Sequence, residues 1–440
     1  MRTPLQRALR QPGLSRINRR ELLRRGFLAG GALALGGGLS ACGGSRLGAA
    51  GAADQGLPAT PSSGARPLGN IGPLLPPDAN KVALPAGFSS RILAVDGDEV
   101  LRGDGAGTGY VWHKDPDGGA TFPTEDGGWI YVSNSEETPG GVGALRFDAA
   151  GEIADAYRIC DDTRNNCAGG PTPWGTWITC EEATGGYAIE CDPYGVEAPV
   201  ELPAMGRYNH EAVAIDPVGQ AAYLTEDRGD GGFYMCVADA YPDFRSGTLF
   251  ILNVTSGDPR EGPAPVEWVE VPDPSGGTLE LVDPTSPSRR LVEEFNPTRQ
   301  QVDRYTPFAG GEGIWYFEGV VYFATKGDSS VWALDIEAQT VERIFDFRAE
   351  GVLPDPTFAV DNVTVTGAGD VIVAEDGSDT RLVVVTPDRR VVTLLKVEHQ
   401  GSELAGPAFS PDGTRLYFSS QRGDGDGRGI TFEITGPFQG

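Results

Sequence analysis

The chain has 440 residues, a formal net charge of −27, and 63 Gly with 34 Pro. A surface this acidic excludes a nucleic-acid partner, which would demand a basic stripe on the binding face. Strand and turn formers dominate and long amphipathic runs are scarce, which excludes a helical bundle and points to an all-β fold.

Residues 1–42 read as a sorting signal. Eight Arg precede an apolar run from Gly26 to Leu39. Arg19-Arg20-Glu21-Leu22-Leu23 and Arg24-Arg25-Gly26-Phe27-Leu28 both fit a twin-arginine pattern, and the run is too short to span a bilayer comfortably. It ends at Leu39-Ser40-Ala41-Cys42, which resembles the lipobox where bacterial lipoproteins are cleaved and lipidated. The expected address is therefore outside the cytoplasmic membrane or in the periplasm, reached in the folded state and held by a lipid on Cys42. An ordinary secretory signal is the alternative. Residues 43–80, rich in Gly, Ala, Pro and Ser without a hydrophobic period, read as a flexible tether. Residues 81–440 are then one folded domain, a monomer that meets the membrane only through its anchor.

Within that domain, similar units recur at a spacing of roughly forty residues, the range of propeller blades. They are Trp129–Ile159, Trp174–Asp192, Glu211–Val237, Glu312–Phe347, Asn362–Val397 and Glu403–Ile434. Each pairs an apolar strand with a second one such as IYVSNSE, AAYLTED, VYFATKGD or DVIVAED across a Gly or Asp-Gly turn, and together they predict a six-bladed β-propeller. In that architecture the first strand of a blade lines the channel and the second runs antiparallel beside it. Strand-one starts therefore neighbour strand-two ends. The pattern puts Cys167, Glu211, Glu312, Asn362 and Glu403 on one mouth with Glu136, Glu181, Glu182, Glu226, Asp227, Asp328, Glu375 and Asp376. Phe88–Val95 is expected to pair with Ile430–Ile434 and close the ring. Residues 257–307 fit no blade and read as an inserted rim segment, helical at Arg290–Glu294, with a bare surface loop as the alternative.

So many carboxylates in one place call for multivalent cations, because proximity alone would push their pKa values up. Carboxylate, Asn and carbonyl oxygens suit Ca²⁺, and a thiolate at Cys167 admits a transition metal such as iron. Multi-metal sites of this kind activate phosphoesters toward hydrolysis. Lys326 and Arg422, each near a strand-two end, are candidate phosphate-binding cations. Cys160, Cys167, Cys180, Cys191 and Cys236 follow Cys42, an odd set in which Cys167 is either a metal ligand or half of a disulfide with Cys160. Cys180 is expected to be buried or disulfide-bonded, Trp174 and Trp177 to pack between blades. His210 stands as a hydrogen-bonding support or a base. GxSxG and GxxxxGK motifs are missing from the sequence.

The segment NCAGGPTPWGTWITCEE, residues 166–182, together with RYNHEAVAIDP, YLTED, DNVTV, VIVAEDG and SELAGPAFSPDGTRLYFSSQ, resembles the PhoX-type bacterial alkaline phosphatases in broken blocks over residues 110–435. The resemblance implies a six-bladed propeller, twin-arginine export, a small phosphoester substrate and an active site of two ferric ions and several calcium ions about an oxo bridge. It implies Cys167 as the iron thiolate, Glu182, Glu211, Glu312 and Glu375 as metal carboxylates, and Asn134 as an amide ligand. Glu136, Glu226, Asp227, Asn362 and Asp376 join the metal set by their place in the ring; Cys167, Glu211 and Glu312 are the catalytic core. Three departures stand out: FAGGEG around Glu312 lacks a basic residue just upstream, SNSE replaces Asn-His-Glu at 133–136, and Gln421-Arg422 replaces Gln-His. The competing functions are a calcium-dependent lactonase or esterase and a non-catalytic ligand-binding lipoprotein.

Overall fold

The computed structural model describes residues 65–276, 278–283, 286–349, 359–377 and 380–439. The chain divides into Met1–Gln55, which lies outside these residues together with the sorting signal, Cys42 and much of the tether, and Gly56–Gly440.

Among the described residues, helix is confined to three 3-10 turns, at Leu68–Asn70, Pro203–Met205 and Thr298–Gln301. Everything else regular is strand. The domain opens with β1 (Val82–Ala83), β2 (Ser89–Val95) and the hairpin β3 (Glu99–Leu101) and β4 (Gly107–Val111). Antiparallel meanders follow: β5 (Pro116–Pro123), β6 (Trp129–Ser135), β7 (Gly141–Phe147) and β8 (Ile153–Asp161), then β9 (Asn166–Pro171), β10 (Trp177–Glu181), β11 (Ala188–Cys191) and β12 (Val200–Glu201). The next runs β13 (His210–Asp216), β14 (Ala221–Glu226), β15 (Phe233–Ala240) and β16 (Asp243–Val254). After β17 (Ala264–Glu270) and the hairpin β18 (Thr278–Asp283) and β19 (Ser286–Phe295) come β20 (Gly311–Phe317), β21 (Val320–Thr325), β22 (Ser330–Asp335) and β23 (Thr340–Asp346). The last are β24 (Val360–Val365), β25 (Val371–Glu375), β26 (Arg381–Val385) and β27 (Val391–Val397), then β28 (Leu404–Phe409), β29 (Arg415–Ser420) and β30 (Ile430–Thr435).

These sheets form a propeller-like arrangement. The first strand of each packs against the first strand of the next, β5 on β9, β9 on β13, β13 on β20, β20 on β24 and β24 on β28, and β28 returns to β5. A sheet covered on both faces needs apolar residues on both, which is why β6, β13 and β14 are buried along their whole length rather than alternately. β2 pairs with β30 from Ser89↔Thr435 to Val95↔Ile430, so the start of the domain supplies the fourth strand of its last sheet, and the expected closing pair forms.

Two expectations fail locally. The inner strand of the first sheet is β5, upstream of Trp129; the WIYVSNS run is its second strand. Arg290–Glu294 lies in β19, paired with β18, and is not helical. Five residues cannot nucleate a helix alone, and a partner strand supplies backbone hydrogen bonds at once. Nor are residues 257–307 a bare loop. β17 pairs with β16 on one side and with β23 on the other, and buried Arg299 in the final 3-10 turn ion-pairs with Glu226.

All of the first strands share one irregularity. Each carries two residues opposite one at the same level: Asp117-Gly118, Cys167-Ala168, Glu211-Ala212, Glu312-Gly313, Asp361-Asn362 and Gly406-Pro407. A bulge of this kind bends the strand and re-aims one side chain. In five of them that residue is an acid or a thiol. The small residue after it lets neighbours approach: a Cβ on Gly118 would lie 2.6 Å from Ala168 Cα, and one on Gly313 2.4 Å from the Val363 nitrogen. Gly406 needs glycine twice over, with φ at +62° and a hypothetical Cβ 2.5 Å from the Asp117 oxygen.

Candidate metal centre

The bulges gather their acids into one row. Asp117, Glu136 and Cys167 form one group, Cys167, Glu182 and Glu211 a second, and Glu211, Glu312 and Asp361 a third, with ligand atoms in each within 4.8 Å of one another. Cys167 and Glu211 each belong to two groups. The row is therefore continuous.

Glu211 is 1% exposed, and neither of its carboxylate oxygens has a hydrogen-bond partner. Burying a polar atom unpaired costs about 1–3 kcal/mol, and an ionised carboxylate costs more. A fold does not keep such a group without a counter-ion. Burial raises its pKa well above the ordinary carboxylate range, and Glu312, Glu182 and Asp361 raise it further. Asp117 is raised by burial and then by Glu136 and Glu403, and Asp361 by burial and then by Asp117 and Glu403. The Cys167 thiol rises through burial and then through Asp117 and Glu211. Glu182 is pushed up to about 7 by burial and Asp227, and Glu403 to about 8 by burial and its hydrogen bond with Asp376. Every one of these shifts resists ionisation, and each would reverse around a multivalent cation. The residues fit metal: carboxylate oxygens throughout, one sulfur, and a buried acid whose oxygens are otherwise orphaned.

Of the residues expected from the sequence, Glu136, Cys167, Glu182, Glu211 and Glu312 come together in the row. Asp227 and Asp376 stand beside it through Lys326, whose ammonium lies 2.7 Å from Asp227, 2.9 Å from Glu312 and 4.0 Å from Asp376. The Lys326 side chain crosses the space over Gly310, where a Cβ would come within 2.7 Å of its Cγ. Arg422 holds Glu403 at 2.8 Å, and Gln421 donates to Asp117 at 2.5 Å and Glu136 at 2.6 Å.

Four others are committed elsewhere. The Asn134 amide donates to the carbonyls of Cys167 and Ala168, and its oxygen accepts from Trp177 at 2.9 Å and Thr179 at 3.0 Å. The Asn362 oxygen accepts from the Gly406 nitrogen, and its amide donates to Asp361. Both amides serve backbone or neighbours around the bulges instead of offering a free oxygen. Glu226 is bound by Arg299 at 2.5 Å, by the Tyr234 hydroxyl at 2.8 Å and by the Gly232 nitrogen at 2.9 Å, which removes it from the row. Glu375 is buried and accepts from the Arg381 nitrogen, on the outer side of its sheet.

Asp117 and Asp361 were not found from the sequence. Asp361 directly precedes Asn362, which the repeat pattern marks as the strand start, and Asp117 lies in the overlooked inner strand. Cys160, Cys167, Cys180, Cys191 and Cys236 are all free and buried, so Cys167 is not paired with Cys160. Glu181 accepts from the nitrogens of Arg164 and Tyr187 and faces away from the row. His210 is buried against Tyr208, with Nε2 at 3.0 Å from the Gly206 oxygen, and burial lowers its pKa to about 4. It is a packing residue. Trp177 is buried between the first two sheets, and Trp174 packs on Tyr241 and Phe244. An apolar cavity of about 300 Å³ lies further along the inner strands, lined by Val213, Ile215, Ile314, Trp315, Val365 and Phe409, and contains no acid of the row.

Residues 148–186 and 183–343 match the family model described as alkaline phosphatase PhoX. No curated protein matches the chain. Among solved structures, Pseudomonas fluorescens PhoX in complex with vanadate, a transition state analogue, superposes with a TM-score of 0.64 at 16% identity, covering 87% of this chain and 98% of that one. A Bacteroides thetaiotaomicron protein of unknown function gives 0.47 at 9% identity over 79% of this chain and 76% of its own. A Xanthomonas campestris gluconolactonase gives 0.41 at 15% identity over 84% and 100%. The first of these structures shows the fold, and the other two carry no weight. With the family match over residues 148–343 and the shared fold, the chain is similar to the alkaline phosphatase PhoX family, a likeness that supports a hydrolase of the phosphatase type.

Proposed function

We propose that the chain hydrolyses small phosphoesters at a multi-metal centre of iron and calcium, set in the mouth of a six-bladed propeller. The observation that carries this reading is Glu211, buried with both oxygens unpartnered and shared between two groups of ligands. The order in which the inner strands pack, β5 to β28 and back, supports closure by six blades.

The donor sets divide the metals. Both groups containing Cys167 mix sulfur with oxygen and suit iron, whereas Glu211, Glu312 and Asp361 offer only hard oxygen and suit calcium. Bound ions there supply Lewis-acid charge for phosphate oxygens and an activated water. The protein's own part is positional. Cys167 and Glu211 link successive groups, Glu182 and Asp117 fill their outer corners, and the Lys326 ammonium stands where it meets a phosphate presented to the row. Arg422, tied to Glu403, is the second candidate phosphate-binding cation. Twin-arginine export and a lipid on Cys42 would keep this monomer outside the cytoplasmic membrane.

Elemental analysis of protein from a host with working twin-arginine export tests the reading, alongside turnover of p-nitrophenyl phosphate against a lactone panel. About two iron per chain together with calcium and phosphatase turnover is the expected result. Calcium alone with lactone turnover would replace the proposal with the lactonase reading.

A further inference from the structure

Two buried thiols outside the row face each other across neighbouring sheets. Cys160 lies near the end of β8 and Cys191 closes β11, and both sit in one apolar cluster with Val142, Ile159, Trp177 and Ile189. Both are free and close enough to perturb one another's ionisation, and the Cys191 thiol donates to the Ile189 carbonyl at 3.7 Å. The backbone around them is pinned: the Tyr157 hydroxyl donates to the Pro193 carbonyl at 3.0 Å, and a Cβ on Gly195 would touch the Arg158 oxygen and Ile159 at 3.4 Å. Cys180 and Cys236 belong to a different cluster, and Cys167 to the metal row.

We propose that Cys160 and Cys191 form a disulfide when the folded chain meets an external disulfide, closing a loop around the segment that carries Cys167 and Glu182. The Cys160 thiolate attacks one sulfur of the external disulfide, and one thiolate leaves. The Cys191 thiolate then attacks the Cys160 sulfur of this mixed disulfide and releases the second. Two electrons and two protons pass from the chain to the external disulfide, which ends as two thiols.

Cys160 is suited to the first step. The neighbouring Cys191 thiol lowers its pKa and is itself raised, and Cys160 sits on the edge strand of its sheet, where local opening starts. The bond would tether both ends of β9–β10, the hairpin holding Cys167 in one strand and leading into Glu182 after the other. It would also retire two of the five described thiols. Export of the chain to an oxidising compartment is the only part of the functional reading on which this rests.

The test uses the full chain, purified reduced and then incubated with glutathione disulfide, alkylated in denaturant and cut with trypsin and glutamyl endopeptidase. The expected product is Ile159–Arg164 joined to Cys191–Glu197, two hydrogens lighter than the separate peptides and abolished by reductant, with Cys167, Cys180 and Cys236 alkylated. Cys160→Ser and Cys191→Ser should each remove it, and in the oxidised protein each should lower the thermal midpoint by a few degrees, roughly the effect of losing one cross-link. Because burial slows exchange, a second arm refolds the chain from denaturant in the same oxidant. Alkylated Cys160 and Cys191 in both arms, or Cys160 linked to Cys167, would overturn the proposal. The same cross-link found in vitro but missing from protein recovered from cells would count against export alone.

Discussion

A carboxylate such as Glu211, buried with both oxygens unpartnered, is a liability until a cation arrives, so its neutral isostere should reveal the trade. In metal-free protein, Glu211→Gln should raise stability by about 1–3 kcal/mol while abolishing metal uptake and phosphatase turnover, measured by denaturant unfolding and elemental analysis. The pH dependence has a definite sign. Glu182 and Glu403 titrate at about 7 and about 8 in the fold against 4.5 when free, so near pH 6 the folded chain holds more protons than the unfolded one. Stability of chelator-treated protein should therefore fall as pH rises from about 4.5 to about 8, and metal-loaded protein should not show this loss. A flat profile after chelation would remove the electrostatic basis of the site. Lys326 makes a separate demand. Replaced by Met, it should leave metal content intact and weaken inhibition by orthophosphate about ten-fold or more, because a charge-assisted contact is lost.

At the scale of the strand, the bulges explain both what the sequence made legible and what it hid. Acids at Glu211 and Glu312 stood out because they open strands that are apolar afterwards, and Cys167 because of the glycines and prolines around it. The repeat pattern marked the strand start one residue late, at Asn362, whereas the bulge turns Asp361 into the row. Asn362 instead bonds to Gly406. Asn134, an amide ligand by the family resemblance, saturates the carbonyls that the Cys167 bulge leaves over. Asn134→Ala should accordingly cost about 1–3 kcal/mol by thermal or denaturant unfolding, more than a solvent-facing amide would, and reduce metal retention only through misplacement of Cys167. Glu226 could not have been sorted from its neighbours by sequence, because its partner Arg299 lies 73 residues away in a segment that matched no repeat.

For the molecule as a whole, the repeat spacing and the pairing of the two ends were legible, since each unit states its own turns and β30 is apolar and polar in turn. The first unit was misplaced because Pro116–Pro123 begins with Pro-Asp-Gly-Gly, a turn sequence by composition that the ring nevertheless uses as an inner strand. Truncation through Val95 should uncover the β30 edge along the register Ser89–Val95 and Ile430–Thr435, and size-exclusion chromatography should then show aggregates in place of the intact domain.

Cys167 and Glu211 each stand in two ligand groups at once, and that sharing reaches beyond geometry. An ion entering one group fixes a side chain that the next requires and cancels charge that had been repelling its neighbours, so successive ions bind with positive cooperativity. Titration of stripped protein should show a sigmoidal rise from empty to full, with half-loaded molecules scarce; under a slowly rising chelator concentration the centre should empty as a unit.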